Sequence, residues 1–437
     1  MTRAAALFIA CIAALLVILP SSARALDIQE VTTEKGLKVL LVEDHSLPII
    51  ALSFAFRGGS TQEPAGKEGA LNLMAALLDE GAGSYTGEAY QNRLEDLATH
   101  VSFNPDRDYL YGGLKTLSAN RDAGFEMLRL ALFDPHFDEK ILNRIRDQIL
   151  AGVRARENDP GSKAAKAMRE LIYPEGHAYR QTTEGSETSL LSLTRDDLEA
   201  LRQRIMARDN LILSVVGDIT PEEVRKTIDR LFGDLPEKAA LIAVPAIEPH
   251  LGDMRHVVYE QPQTRFAWVS KGIARDDPDY MAAYLVNQVL GGSGLTSRLS
   301  NEVREKRGLA YGISTSLSNA RAVSLFTGSV ATRSDFADET LRVMKAEMHR
   351  MAEEGPTEAE LALMKSYTIG AYALNFDGAS DIARTLTGLQ VQGLPANYID
   401  TRAALISAVT LDDAKRAAKR LLGDGNYALV RLGPLVK

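Results

Sequence analysis

The sequence predicts an α+β protein of two homologous domains, each a mixed or mostly antiparallel β-sheet layered with α-helices. Three observations lead there. The chain has 437 residues, 45% hydrophobic and 25% charged, which is too long for a single core and points to two domains of about 200 residues. Strand-like and helix-like segments come in groups instead of strict alternation. The second half repeats the order of the first at an offset of roughly 210 residues.

The elements read in order as follows. Residues 37–42 and 49–56 are β-rich runs separated by a polar break, and Gly58-Gly59-Ser60 closes the second. Residues 67–78 read as a helix closed by Gly81, and strands return at 101–104 and 109–116. Amphipathic helices are predicted over 121–133, 138–158, 161–171 and 195–206, the last led by Thr194. Residues 211–216 form a buried-type strand, followed by a helix that starts after Thr220-Pro221. The second half gives strands at 256–260, 266–272 and 324–330, and helices at 279–290, 335–354 and 357–373. Val215-Val216-Gly217-Asp218 has its counterpart in Leu429 to Gly433 near the end. Between the halves, three prolines and no helical period over 234–252 mark the linker, placed at 239–252, giving domains over 26–238 and 253–437.

Residues 1–25 read as an export signal: Arg3 supplies the positive start, residues 4–19 are apolar, and Ala23-Arg24-Ala25 offers small residues for cleavage after Ala25. An apolar run of that length is short for a bilayer core, and lipidation at Cys11 would leave apolar residues exposed behind the lipid. The only cysteine, Cys11, falls inside this segment, so the mature chain has no thiol for a disulfide or a nucleophile. A cysteine-free exported chain fits a bacterial periplasm, with no membrane association after cleavage. Net charge is −8 and no Lys/Arg block stands out, which excludes nucleic acid as the expected partner.

The segment FRGGSTQEPAGKEGALNLMAALLDEGAG (residues 56–83) resembles the zinc-site segment of the pitrilysin/insulinase-type, or inverted-zincin, peptidases. That family carries H-x-x-E-H there, two imidazoles on one helix face with a Glu to deprotonate metal-bound water. Arg57-Gly58-Gly59-Ser60, Glu63-Pro64 and Gly69 keep the frame, but the three motif positions hold Asn72, Ala75 and Ala76. The family's third ligand, a Glu, aligns with Ala151 or Gly152 in RDQILAGVRARENDP. Alanine offers no lone pair, and a lone amide is a poor zinc ligand, so no metal is expected in this chain. The seven histidines give no alternative, since no two are spaced for one helix face.

The second half is richer. VLGGSGLTSRLSNEVREKRGLAYGIS resembles the family's second-domain segment, with a Gly-rich turn, Ser297-Arg298-Leu299, Arg304, and Gly308-Leu309-Ala310-Tyr311. In active members the Arg and Tyr at this spacing reach the bound peptide beside the metal. A guanidinium offers a fork of donors to peptide carbonyls, and a phenol donates to the oxygen that gains charge in the tetrahedral intermediate. Gly291-Gly292-Ser293 reads as a tight turn close to the cavity that contacts substrate backbone in the family. It fails as a phosphate loop because Leu295 follows Gly294 where a Lys is required. Asp79-Glu80 reads as a helix-end charge pair, and Arg144, Arg146, Arg154 and Arg156 read as a face bridged to Asp147 and Glu157.

The resemblance thus implies a catalytically incomplete subunit of a heterodimeric zinc metallopeptidase, half of a clamshell. Arg304 and Tyr311 would act in trans on short or unfolded peptides beside zinc held by a homologous partner, and the chain alone would be inert. The alternative is a structural or peptide-binding protein of the same fold, like the core subunits of mitochondrial respiratory complex III. A self-contained hydrolase finds no support, since neither a G-x-S-x-G nor a paired-His motif occurs.

Overall fold

A computed structural model of the protein describes residues 26–435. The export signal and its cleavage site read from the sequence lie outside the described residues. The first half contains strands β1 (Ile28–Thr32), β2 (Lys38–Glu43), β3 (Ile49–Arg57), β4 (His100–Pro105), β5 (Tyr109–Leu117) and β6 (Leu211–Gly217). Its helices are α1 (Ala70–Ala75), α2 (Gly87–Asp96), α3 (Arg121–Phe133), α4 (Glu139–Glu157), α5 (Pro160–Ile172), α6 (Glu187–Ser192), α7 (Arg195–Ile205) and α8 (Pro221–Phe232). The second half contains β7 (Met254–Val258), β8 (Gln263–Lys271), β9 (Ala310–Asn319), β10 (Ser324–Arg333) and β11 (Ala428–Gly433). Its helices are α9 (Tyr280–Asn287), α10 (Ala337–Glu354), α11 (Glu358–Tyr372), α12 (Ala379–Val391), α13 (Tyr398–Ala408) and α14 (Leu411–Leu422).

The strands pair as two sheets, β1-β2-β6-β3-β5-β4 and β9-β10-β8-β11-β7. With β1 set aside, the two orders are the same: β7, β11, β8, β10 and β9 repeat β2, β6, β3, β5 and β4. The β2–β6 and β7–β11 pairs are parallel and the others antiparallel. The predicted repeat is therefore a repeat of topology.

Local chemistry sets many boundaries. Thr194, Thr220, Thr357 and Thr410 each close a capping box at the start of α7, α8, α11 and α14, their hydroxyls accepting the N–H three residues on. β3 is buried along nearly its whole length, as expected of a central strand that carries helices on both faces.

Those second faces are covered reciprocally. Helix α5 of the first half packs Ala164, Ala167, Met168 and Ile172 against Val269, Ala428, Val430 and Leu432 of the second sheet. Helix α12 packs Ile382, Ala383 and Leu386 against Leu40, Val42, Ala51 and Val216 of the first. Thr387 Oγ1 donates to Ser53 O (3.3 Å) and Gln390 Nε2 to Ser214 Oγ (3.0 Å), fixing α12 to the β3–β6 pair. Each half thus completes the other's core.

Several expectations need correction. The helix predicted over 67–78 is only Ala70–Ala75, because the chain enters through Gly69 at φ +91° and leaves α-geometry at once after Ala76. The segment 239–252 has no regular secondary structure but is not slack: Ile242 exchanges two hydrogen bonds with the Gln62 carboxamide, and Ile247 N donates to Ala322 O. Three arginines of α4 pair with carboxylates on other elements, Arg144 with Glu80, Arg154 with Glu187 and Arg156 with Glu184, and Arg146 bonds to Asn143 and Leu193 O, so none pairs with Asp147 or Glu157.

Candidate functional site

Two places follow from the sequence motifs, one in each half. The first is built on α1. Asn72 is half-buried and Ala76 exposed, whereas Ala75 is buried in the core. Asn72 lines a cavity of about 460 Å³ with Asn104 and Pro105 of edge strand β4, Gln148 and Gly152 of α4, and the Arg156–Glu184 ion pair (2.7 Å). Of the two positions aligned with a third ligand, Gly152 shares this cavity with Asn72 and Ala151 does not line it. Burial opposes ionisation of Glu184, yet the Thr182 hydroxyl and the Arg156 charge hold its carboxyl below the usual range. The donors at the motif positions amount to one carboxamide, which does not fit zinc. Among the described residues, no group of three or more His, Cys, Asp or Glu could hold a metal ion.

The second place is the return from the α9 region into β9. Helix α9 ends in a π-helical turn, Gln288–Gly292, so Gly291 and Gly292 belong to a helix end and not to the tight turn predicted. A Cβ on Gly291 would stand 2.6 Å from Thr315 Oγ1, so this residue is buried packing beneath β9. The substrate contact expected of it can rest only with the outward-facing Gly292 and the half-buried Ser293. Ser297 caps the next helical turn, and Arg298 forms a bidentate pair with Glu360, two contacts of 2.6 Å. Arg298 is thereby a strut to the start of α11, a role its motif alone did not reveal.

Arg304 lies in a second π-helical turn, Asn301–Glu305. Gly308 then reverses the chain at φ +61°, its N–H donating to Arg304 O (2.9 Å). In β9 the register shifts between Ala310 and Ile313, so Tyr311 and Gly312 occupy a bulge on the sheet's edge strand. The bulge turns Tyr311 outward until 87% of it is exposed, and the Arg304 guanidinium lies 5.0 Å from its ring centroid. The structure brings Arg304 and Tyr311 together at a free sheet edge.

The chain is similar to known proteins along most of its length. Residues 192–367 match the family model described as the peptidase M16 inactive domain. A relative named "Non-peptidase homolog YmxG" from Helicobacter pylori (strain ATCC 700392 / 26695) is 23% identical over 90% of each chain. A probable mitochondrial-processing peptidase subunit beta from Arabidopsis thaliana is 22% identical over 92% of this chain and 78% of its own. The crystal structure of a peptidase M16 inactive domain from Pseudomonas fluorescens superimposes with a TM-score of 0.87 at 29% identity, covering 94% of this chain and 98% of that one. Along nearly its whole length the chain is thus similar to pitrilysin/insulinase-type (peptidase M16) proteins, and its second half matches the domain described as inactive.

Proposed function

We propose that this chain is the metal-free subunit of a two-chain zinc peptidase, exported to the periplasm, and that it lends Arg304 and Tyr311 to a site whose zinc and general base belong to a homologous partner. The observation that carries this reading is the exposed Tyr311 phenol held beside Arg304 at the free edge of the second sheet. A tyrosine so exposed contributes little to its own core. Arg304 pairs through Nε with Glu305 (3.6 Å), which leaves its terminal amino groups and the Tyr311 hydroxyl to meet a peptide carbonyl and the developing oxyanion. Two such chains would close as a clamshell that admits short or unfolded peptides. The relatives named as processing-peptidase subunits support an assembly of this kind.

A second reading, a non-proteolytic structural or peptide-binding role, is favoured by the printed name of the Helicobacter relative. Co-expression with a homologous H-x-x-E-H chain separates the two. On the first reading the pair cleaves an unfolded peptide, and Tyr311→Phe lowers kcat by about 100-fold while the two chains still co-elute. Unchanged turnover in that variant, or no cleavage by the assembled pair, establishes the second.

A further inference from the structure

The C-terminal half holds a pocket that neither motif explains. It has a volume of about 320 Å³ and lies where α9, α11, α12 and α13 converge. Four tyrosines, Tyr280, Tyr284, Tyr372 and Tyr398, supply its walls, and two arginines, Arg275 and Arg402, supply its charge. The Arg275 guanidinium lies 4.3 Å from the Tyr280 ring centroid and 5.1 Å from that of Tyr398. Arg402 lies 4.1 Å from Tyr372 and 5.9 Å from Tyr284.

Neither guanidinium has a carboxylate within ion-pair distance among the described residues. Arg275 donates through Nε to Gln392 Oε1 (2.9 Å) and Arg402 through Nη1 to Thr368 O (3.1 Å), so each is oriented by a neutral acceptor. Asp277 is engaged with Arg420, and Asp279 with both Arg416 and Arg420. A guanidinium stacked on aromatic rings keeps its in-plane N–H donors free, the geometry that takes an oxyanion edge-on. Two uncompensated cations in one partly dry pocket favour an occupant carrying two negative charges, and four phenol rings favour one with an apolar body. The whole chain carries a net charge of −8, so this local preference runs against its overall field.

We propose that this pocket binds a compact organic dianion, a phosphate monoester or a dicarboxylate with an aromatic or aliphatic body. The site is independent of the Arg304/Tyr311 reading. Its ligand would touch Gly388 of α12 and Gln392 just past its end, while Ile382, Ala383 and Leu386 of the same helix close the first sheet, so binding also fastens the two halves together.

Calorimetric titration of the purified chain at low salt with phenyl phosphate, phthalate, benzoate and inorganic phosphate tests this. Saturable one-site binding of phenyl phosphate, phthalate or both is expected, and whichever binds identifies the dianion's source. Arg275→Gln and Arg402→Gln should each weaken binding by about tenfold or more, with unchanged circular dichroism. As a readout on the unaltered chain, the bound dianion should protect Arg275 and Arg402 from phenylglyoxal. Absence of saturable binding by both dianions overturns the proposal. So does equal affinity for benzoate or bare phosphate, or binding that neither variant weakens and that leaves both arginines open to the reagent.

Discussion

The indole of Trp268 fills the space that a side chain at position 328 would need: a Cβ there would stand 2.0 Å from Trp268 Cζ2. Trp268 and Gly328 are directly paired across β8 and β10. The first sheet repeats the arrangement, with Phe54 paired to Gly112 across β3 and β5 and a Cβ on Gly112 2.0 Å from Phe54 Cζ. An aromatic ring laid across a glycine is thus part of the repeated design of both sheets.

It follows that Gly328→Ala forces a fully buried ring out of place and should cost about 1–3 kcal/mol or more. Gly370, inside α11, has nothing within 4 Å of its would-be Cβ, and there the same substitution should stabilise by up to about 1 kcal/mol. Urea unfolding of both variants checks the contrast, and equal effects would refute it.

A second prediction concerns the seam between the halves. Asp108, only 8% exposed, accepts hydrogen bonds from Tyr179 Oη (2.6 Å) and from Arg321 N (3.0 Å) of the β9–β10 connection. Tyr179 Oη in turn accepts from Ala322 N (3.1 Å). Tyr179→Phe strands the Ala322 N–H and removes one donor from a buried carboxylate, at a cost of about 1–3 kcal/mol. Hydrogen exchange should quicken around residues 320–323 in this variant. A loss of stability without that local change would place the effect elsewhere.

The third prediction is a pH dependence centred on Glu63, whose carboxylate oxygens accept from Gly69 N (3.1 Å) and Leu71 N (2.7 Å) at the start of α1. Burial outweighs these two donors and pushes the carboxyl from 4.5 up to about 8. The folded state then holds a proton that the unfolded chain releases. Stability from this group is complete below the unfolded value and is lost as pH rises through the folded one. Denaturant titrations should show stability falling between about pH 5 and pH 8 in the parent chain, and falling less in Glu63→Gln. Parallel curves for the two proteins would rule the assignment out.

How much of this could be read beforehand depends on how local each signal is. Helix α3 was legible residue for residue from its 3.6-residue period, α7 and α11 to within a residue at each end, and α8 at its start, the last three beginning at capping Thr residues. Strand β9 was not read: GISTSLSN (residues 312–319) places Ser or Thr at half its positions and resembles a loop, although Ile313 and Thr315 point inward and alternate with exposed neighbours. Helices α12, α13 and α14 also went unread. α13 buries little beyond Tyr398 and Ile406, so it has almost no apolar stripe to announce it.

The sequence by itself determined that no zinc ligands stand at Asn72, Ala75 and Ala76, that one α+β unit occurs twice, and that an Arg and a Tyr stand seven residues apart in a segment of known kind. Each is a property of residue identity at fixed spacing, and folding cannot alter it. Only the tertiary structure decided that α5 and α12 exchange sheets, that Gly152 joins Asn72 while Gly291 is buried, and that Arg275 meets Arg402 across four tyrosines. Those outcomes depend on which distant face buries against which, a choice made by the summed packing of the whole chain.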